Sequence, residues 1–335
     1  MRGPRHTPLR RLGLRAAAVA LALAPLLVSG ADAQTATWRH GLISAHSDAG
    51  FFFMVQNGFA EKQGLKLEIV QFKTDITALQ SLIAGDLDSF EAGPASSMVA
   101  AGRGGDIKII GCNWQALPYV IYARSTIGSI ADLKGKTVAI SAPAGFPAVV
   151  ARGILEKSGV PPETVNFANL GADVERYKAV LAGVADAAVV SDEYEPIVER
   201  QGLKGLVAAK DAFPDYIRQC AMTTGKILAA RRDDAVRFLR AEMTALRYAL
   251  SHRDDALRLT REMTGLKADD PRPEFVFDQA LRTHAIDPDW PVPMAKLRWM
   301  QEQLIRDGSI KQSFDPALIV DAGVRATALE GLAAK

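Results

Sequence analysis

From Leu65 to Val70 the chain reads Leu-Lys-Leu-Glu-Ile-Val, the alternation expected of a strand with one buried face. Trp38 to Ile43 reads as an earlier strand, followed by a polar loop, Ser44 to Gly50. Phe51-Phe52-Phe53-Met54-Val55 then opens a helix that should end near Gln63-Gly64. Downstream, the pattern predicts a helix over Ile76 to Ala84, a strand over Leu87 to Phe90, a helix from Pro94 and a strand over Ile107 to Gly111. Strands alternating with helices predict parallel βαβ units. Tyr119 to Ala123 is a short β-rich run placed to cross into a second lobe. There Thr137 to Ile140 and Ala187 to Val190 read as strands, and Tyr216 to Thr224 offers a way back. The remainder is helical. Val236, Leu239, Met243 and Leu246 recur at helical spacing, as do Met294, Leu297, Trp299 and Leu304. Asp287-Pro288-Asp289-Trp290-Pro291 breaks the chain between them.

One pattern occurs twice. Phe59-Ala60-Glu61-Lys62-Gln63-Gly64-Leu65 closes with Leu82-Ile83-Ala84-Gly85-Asp86-Leu87-Asp88. Leu155-Glu156-Lys157-Ser158-Gly159-Val160 closes with Val180-Leu181-Ala182-Gly183-Val184-Ala185-Asp186. Each copy is a helix stopped by Gly, an extended segment, a second helix stopped by Gly, and an apolar strand. Gly suits those stops because the left-handed backbone at a helix C-terminus costs it little. Two matching α/β lobes imply a cleft, where small molecules bind. The division expected is residues 1–33 as a targeting segment, 34–121 as the first part of lobe I, 122–217 as lobe II, and 218–335 as the helical return to lobe I.

The targeting segment changes the charge argument. Arg2, Arg5, Arg10, Arg11 and Arg15 precede an apolar run from Ala16 to Val28, and Ala31-Asp32-Ala33 supplies a small-x-small cleavage pattern before Gln34. The general secretory route fits better than the twin-arginine one, since Leu12-Gly13-Leu14 continues Arg10-Arg11 poorly. The chain carries 40 Lys and Arg against 38 Asp and Glu. Residues 1–33 hold five Arg and one Asp, leaving 35 against 37 and a net charge of −2. No basic stripe remains to suggest nucleic acid. The two cysteines, Cys112 and Cys220, exclude a disulfide-dense miniature fold. In an exported chain they form either one disulfide or a pair of buried thiols.

Ligands of open parallel sheets sit beyond the carboxyl ends of the strands. That rule selects five segments: Ser44 to Phe51, Glu91 to Ser97, Asn113 to Tyr119, Ser141 to Phe146, and Ser191 to Tyr194. Within them Ser44, His46, Asp48, Phe51, Gly93, Pro94, Ala95, Ser96, Asn113, Trp114, Tyr119, Ser141, Gly145, Phe146 and Asp192 are the candidate ligand contacts. Gly93 to Ser97 and Ser141 to Pro147 read as helix starts whose free N–H groups suit an anion. Trp114, Phe51 and Phe146 suit a planar ligand, and Asp192 suits an amine or ring N–H. Catalytic patterns are missing: there is no G-x-S-x-G elbow, no H-E-x-x-H helix and no phosphate-cradling glycine loop. The histidines, His6, His40, His46, His252 and His284, show no metal-binding spacing. No catalytic residue, metal or cofactor is expected.

Three stretches carry a resemblance: Phe59 to Leu65, Leu82 to Asp88, and Ile130-Ala131-Asp132-Leu133-Lys134-Gly135-Lys136-Thr137-Val138-Ala139. Leu181-Ala182-Gly183 with Asp186-Ala187 adds to it. In this ordered set the chain resembles the periplasmic solute-binding proteins of ABC transporters for taurine, alkanesulfonates, nitrate and thiamine precursors. The likeness spans roughly Trp38 to Arg240. It implies an α/β, two-lobed periplasmic-binding-protein fold of type II, with parallel-rich sheets, flanking helices and a central cleft. It further implies a monomer in the periplasm that closes on a small organic solute and delivers it to an ABC permease and, through that permease, its ATPase. The departures bear on the solute. Many relatives carry Trp-Asp-Pro-Tyr where this chain has Ser191-Asp192-Glu193-Tyr194, and the five loops offer no Arg or Lys for a sulfonate. Related folds include a desulfinase and a pyrimidine synthase, so an enzyme of this fold is the alternative, with a sensor-docking binding protein as a third.

Overall fold

The computed structural model describes residues 36–43, 49–72, 74–141, 146–306 and 308–333. The expected targeting segment and its cleavage pattern lie outside them. Among the described residues no helix is long and apolar enough to cross a membrane.

Two five-stranded sheets organise the chain. The first contains β1 (Ala36–Leu42), β2 (Leu65–Gln71), β3 (Ser89–Ala92), β4 (Lys108–Trp114) and β10 (Gln219–Thr223), in the order β2-β1-β3-β10-β4. The second contains β5 (Tyr119–Arg124), β6 (Thr137–Ile140), β7 (Asn166–Asn169), β8 (Ala187–Ser191) and β9 (Leu203–Ala208), in the order β7-β6-β8-β5-β9. The two orders are equivalent. β1 pairs in parallel with β2 and β3, as β6 does with β7 and β8. The fourth strand of each sheet is antiparallel to its neighbours. In both cases it is the strand that has just arrived from the other lobe. The connections from Trp114 to Tyr119 and into Gln219 are therefore where the chain passes between sheets.

The repeated sequence pattern builds equivalent parts of the two lobes. Helices α2 (Phe59–Lys62) and α3 (Asp75–Ala84) precede Gly64 and Gly85; α5 (Phe146–Lys157) and α6 (Asp173–Leu181) precede Gly159 and Gly183. All four glycines hold φ between 71° and 87°, where a Cβ is strained. The aspartates that close the two copies share one task. Asp88 accepts the Arg39 N–H through Oδ2 at 2.8 Å, while its own N–H bonds the Arg39 carbonyl. Asp186 treats Thr137 identically, at 2.9 Å. One difference from expectation lies just upstream: the helix opened by Phe51 does not run through to Gln63. It breaks at Gly58, with φ 62°, into α1 (Ala49–Gln56) and α2, because Asn57-Gly58 adopts a left-handed turn more readily than another helical turn.

Helix α4 (Ala95–Gly102) follows β3, while the short α7 (Glu195–Val198) and α8 (Ala209–Ala212) flank β9. The return crossing leads into α9 (Gly225–Ser251), α10 (Arg253–Thr264), α11 (Arg272–Thr283), α12 (Met294–Arg306) and α13 (Ala322–Ala333). α9 covers one face of the first sheet with Phe238, Leu239, Met243 and Leu246, packed with Trp38, Phe51 and Phe53. Each buried Phe contributes about 1.5–3 kcal/mol. α9 is kinked at Arg231 (φ −141°, ψ 38°). The guanidinium there bonds Asp88 at 2.8 Å, the Thr37 carbonyl at 2.8 Å and Asp234 at 3.0 Å. Cys112 of β4 and Cys220 of β10 are joined in a disulfide within the first sheet.

Candidate functional site

The outgoing crossing is held by the chain that follows α11. Gln115 N–H donates to the Ala285 carbonyl at 2.9 Å, and Asp287 N–H to the Asn113 carbonyl at 2.7 Å. Gly111 allows this approach, since a Cβ there would stand 3.0 Å from Trp290 Cβ. Lys296 of α12 spans both crossings: its Nζ donates to the Gln115 carbonyl and to the Pro214 carbonyl, each at 2.9 Å. Burial lowers its pKa, with Asp215 opposing.

Beside these crossings lies a cavity of about 530 Å³. The first sheet contributes Asn113 and Trp114 at the end of β4. The second contributes Ser191, Asp192 and Glu193 where β8 ends, and the crossing itself adds Gln115 to Pro118. The C-terminal helices close it. Leu246, Leu250, Leu257, Val276 and Phe277 form an apolar wall, while Thr260, Arg272, Gln279 and Thr283 supply polar groups; Lys210 and Lys296 complete the lining. The volume suits a small organic molecule.

Asp192 is the most perturbed acid on this lining. Its N–H bonds the Pro118 carbonyl at 2.9 Å, which fixes it against the crossing strand. Burial pushes its carboxyl up to about 6, against the pull of Lys210 and a hydrogen bond donated by Gln279. The neighbouring Glu193 is also raised by burial, with Arg272 opposing. Arg272 is held by Asp270, at 2.8 Å in its ion pair, and lies over the Tyr194 ring at 5.1 Å from its centroid. The lining thus sets two carboxyls beside fixed cations and an apolar wall. That arrangement would suit a polar or zwitterionic group attached to an apolar body.

Of the residues expected from sequence, Asn113, Trp114 and Asp192 come together on this cavity. Asn113 is buried, and its Oδ1 has no hydrogen-bond partner among the described residues. Trp114 stacks beneath the Arg218 guanidinium, 5.8 Å from the ring centroid. Tyr119 begins β5 opposite Ser191 and packs on the core of the second lobe. Gly93, Pro94, Ala95 and Ser96 lie at the start of α4 and do not line the cavity; Ser96 Oγ is buried there without a hydrogen-bond partner among the described residues. Phe51 lies in the core, stacked on His40 at 5.3 Å, while Gly50 before it reaches the cavity. Ser141 is half-buried just past β6. Ser44, His46, Asp48 and Gly145 lie outside the described residues, as does the side chain of Phe146.

The wall from α10 and α11, and with it the cations, was not expected from sequence. No Arg or Lys occurs in the five strand-end loops, yet Lys210, Arg272 and Lys296 line the cavity. They come from elements far along the chain, and only the amphipathic spacing of the C-terminal helices hinted that those helices would pack here.

A family model described as NMT1/THI5 like matches residues 46–256. No curated protein matches the chain. Among solved structures, the periplasmic aliphatic sulphonate-binding protein SsuA of Escherichia coli is similar at a TM-score of 0.69 and 19% identity, over 85% of this chain and 92% of that one. The alkanesulfonate-binding protein SsuA of Xanthomonas axonopodis pv. citri, bound to MOPS, gives 0.67 and 18%, over 87% and 99%. A mutant of DSZB, in complex with biphenyl-2-sulfinic acid, gives 0.64 and 14%, over 89% and 99%. At these identities the likeness is one of fold.

Proposed function

The chain belongs to the NMT1/THI5-like family, and from that premise we propose that it is the extracytoplasmic substrate-binding subunit of an ABC importer. It captures a small organic solute between its two lobes and presents it to a membrane permease coupled to an ATPase. The observation that carries this reading is the cavity of about 530 Å³ lined from both sheets, beside the crossings on which the lobes can hinge. A solute touching both lobes favours the closed state over the open one by its contacts alone. Export across the inner membrane and a monomeric state belong to the same proposal.

The sulfonate-binding SsuA proteins support a sulfonate as one candidate solute, with aromatic carboxylates and thiamine-precursor-like heterocycles as the others. Asp192 and Glu193 favour a solute that also carries an amine or ring N–H, and the cavity's cations favour one with an acidic end. The test is a thermal-shift screen of purified protein against these classes, followed by calorimetry on the hits. Stoichiometric binding without turnover is expected, and Asp192→Ala should weaken it more than about tenfold. Unchanged affinity in Asp192→Ala would remove Asp192 from the site. Multiple turnovers of an aryl sulfinate by the purified chain would replace the binding role with an enzymatic one.

A further inference from the structure

On the face of the first sheet covered by α9, three ionisable side chains meet in the core. His40 of β1, Glu91 of β3 and Glu242 of α9 are 0%, 3% and 2% exposed. One donor atom from each lies within 4.8 Å of the others. The rings of Phe51 and Phe238 flank the imidazole, at 5.3 and 4.8 Å between centroids, and keep the cluster dry.

The side chains behind the cluster hold it in place. His40 Nδ1 lies 2.8 Å from Ser89 Oγ, and that oxygen also accepts the Trp38 indole N–H at 2.7 Å. Gln219 donates its amide N–H to Glu91 Oε2 at 2.5 Å, while Glu91 Oε1 stands 3.7 Å from His40 Nε2. His40 Nε2 has no hydrogen-bond partner among the described residues. A hydroxyl behind one imidazole nitrogen and an amide behind one carboxylate oxygen are the supports that orient metal ligands.

We propose that His40, Glu91 and Glu242 bind a divalent transition-metal ion. A divalent ion neutralises both carboxylates and takes the imidazole lone pair as well. Ser89 is placed to accept the Nδ1 proton, which leaves the Nε2 lone pair facing the carboxylates. Two donors on a tetrahedral ion are separated by about 3.3 Å, given metal–ligand distances near 2.0–2.1 Å. The observed 3.7 Å needs only a small adjustment to reach that value. One imidazole and two carboxylates suit Zn²⁺, Mn²⁺ or Fe²⁺. The three ligands come from β1, β3 and α9, so the ion clamps the returning helix to the first sheet.

The test uses the full chain, exported and purified without a histidine tag. Metal content is measured by mass spectrometry after exposure to Zn²⁺, Mn²⁺ or Fe²⁺ and gel filtration, and Co²⁺ is titrated while its visible ligand-field band is followed. The proposal expects about one ion per chain, a Co²⁺ band showing an imidazole ligand, and a higher Tm in the loaded form. Glu242→Gln and His40→Gln should each weaken metal binding at least tenfold, and His252→Ala, at an exposed site, should leave it unchanged. A wild-type chain that retains none of these ions and gives no Co²⁺ band overturns the proposal. Binding that survives in a folded Glu242→Gln chain and is lost in His252→Ala also overturns it. Should neither core variant fold, the wild-type stoichiometry and Co²⁺ band decide alone.

Discussion

Asp192→Asn should make this protein more stable at neutral pH, because the fold holds the Asp192 carboxylate at a cost. The carboxyl is buried, and its pKa is pushed from an ordinary 3.8 up to about 6. Below 3.8 it is protonated in folded and unfolded chains alike and costs nothing. Between 3.8 and about 6 the folded chain keeps a proton that the unfolded chain has released, so stability falls as pH rises. Above that window the full cost is present, about 3 kcal/mol at 1.36 kcal/mol per pKa unit. Asn keeps the shape and an oxygen for the Gln279 amide, but it never ionises. The stability gap between Asp192→Asn and wild type should therefore grow from near zero around pH 3.5 to about 2–3 kcal/mol in favour of Asn above pH 7. Urea unfolding of both proteins at matched pH values measures it. Groups away from Asp192 titrate equally in both chains and cancel in the difference, while Glu193, whose carboxyl the Asp192 charge helps to raise, moves the gap in the same direction. A gap that does not change with pH, or a wild type more stable than the variant near pH 7.5, would mean that the buried carboxylate carries no such cost. A charge held against stability on a cavity wall accords with the proposal that Asp192 contacts the solute, since bound ligand would offset a cost the empty fold bears.

Intact-mass analysis of the exported protein should find Cys112 and Cys220 joined, two hydrogens lighter than the reduced chain, and Cys112→Ser with Cys220→Ser should lower stability by about 2–4 kcal/mol. Two free thiols in exported protein would count against the bond. Lys296→Met keeps the apolar stem but releases the Gln115 and Pro214 carbonyls; a loss of about 1–3 kcal/mol and faster amide exchange around both crossings are expected. Unaltered exchange there would mean that Lys296 does not hold the crossings. Asp88→Ala should cost more than Asp186→Ala, about 2–4 against about 1 kcal/mol, because Asp88 also pairs with Arg231 at the α9 kink. Equal losses in urea unfolding would show that the kink pairing adds nothing.

Much of the architecture was legible because it rests on local physics. Gly64, Gly85, Gly159 and Gly183 stop their helices in a conformation other residues avoid, and a reader of the chain finds those stops unaided. The alternation of apolar strands and helices pointed to the parallel units of both sheets. The repeat even marked Asp88 and Asp186, although nothing in the sequence said that each would close the start of a central strand. The break at Gly58 was not anticipated, since apolar residues continue on either side of it and a hydrophobic stripe does not record backbone φ.

The candidate site was legible only in part. Asn113, Trp114 and Asp192 lie at strand ends, which the geometry of parallel sheets marks as ligand positions. Arg272, Gln279 and Lys296 follow no such rule; they reach the cavity because α11 and α12 return across the crossings, and Lys210 reaches it from α8, after β9. The same holds for the buried cluster. His40, Glu91 and Glu242 share no spacing motif, and strand pairing together with the docking of α9 brings them within reach.

The helix stops at Gly64, Gly85, Gly159 and Gly183, the main extended segments, and the presence of two like lobes follow from the order of residues alone, because these depend on the conformational preferences of near neighbours. Which charges face the cavity and which acids share the core were settled by packing. Those are contacts between residues far apart along the chain, and their energies arise only once water has been excluded from between them.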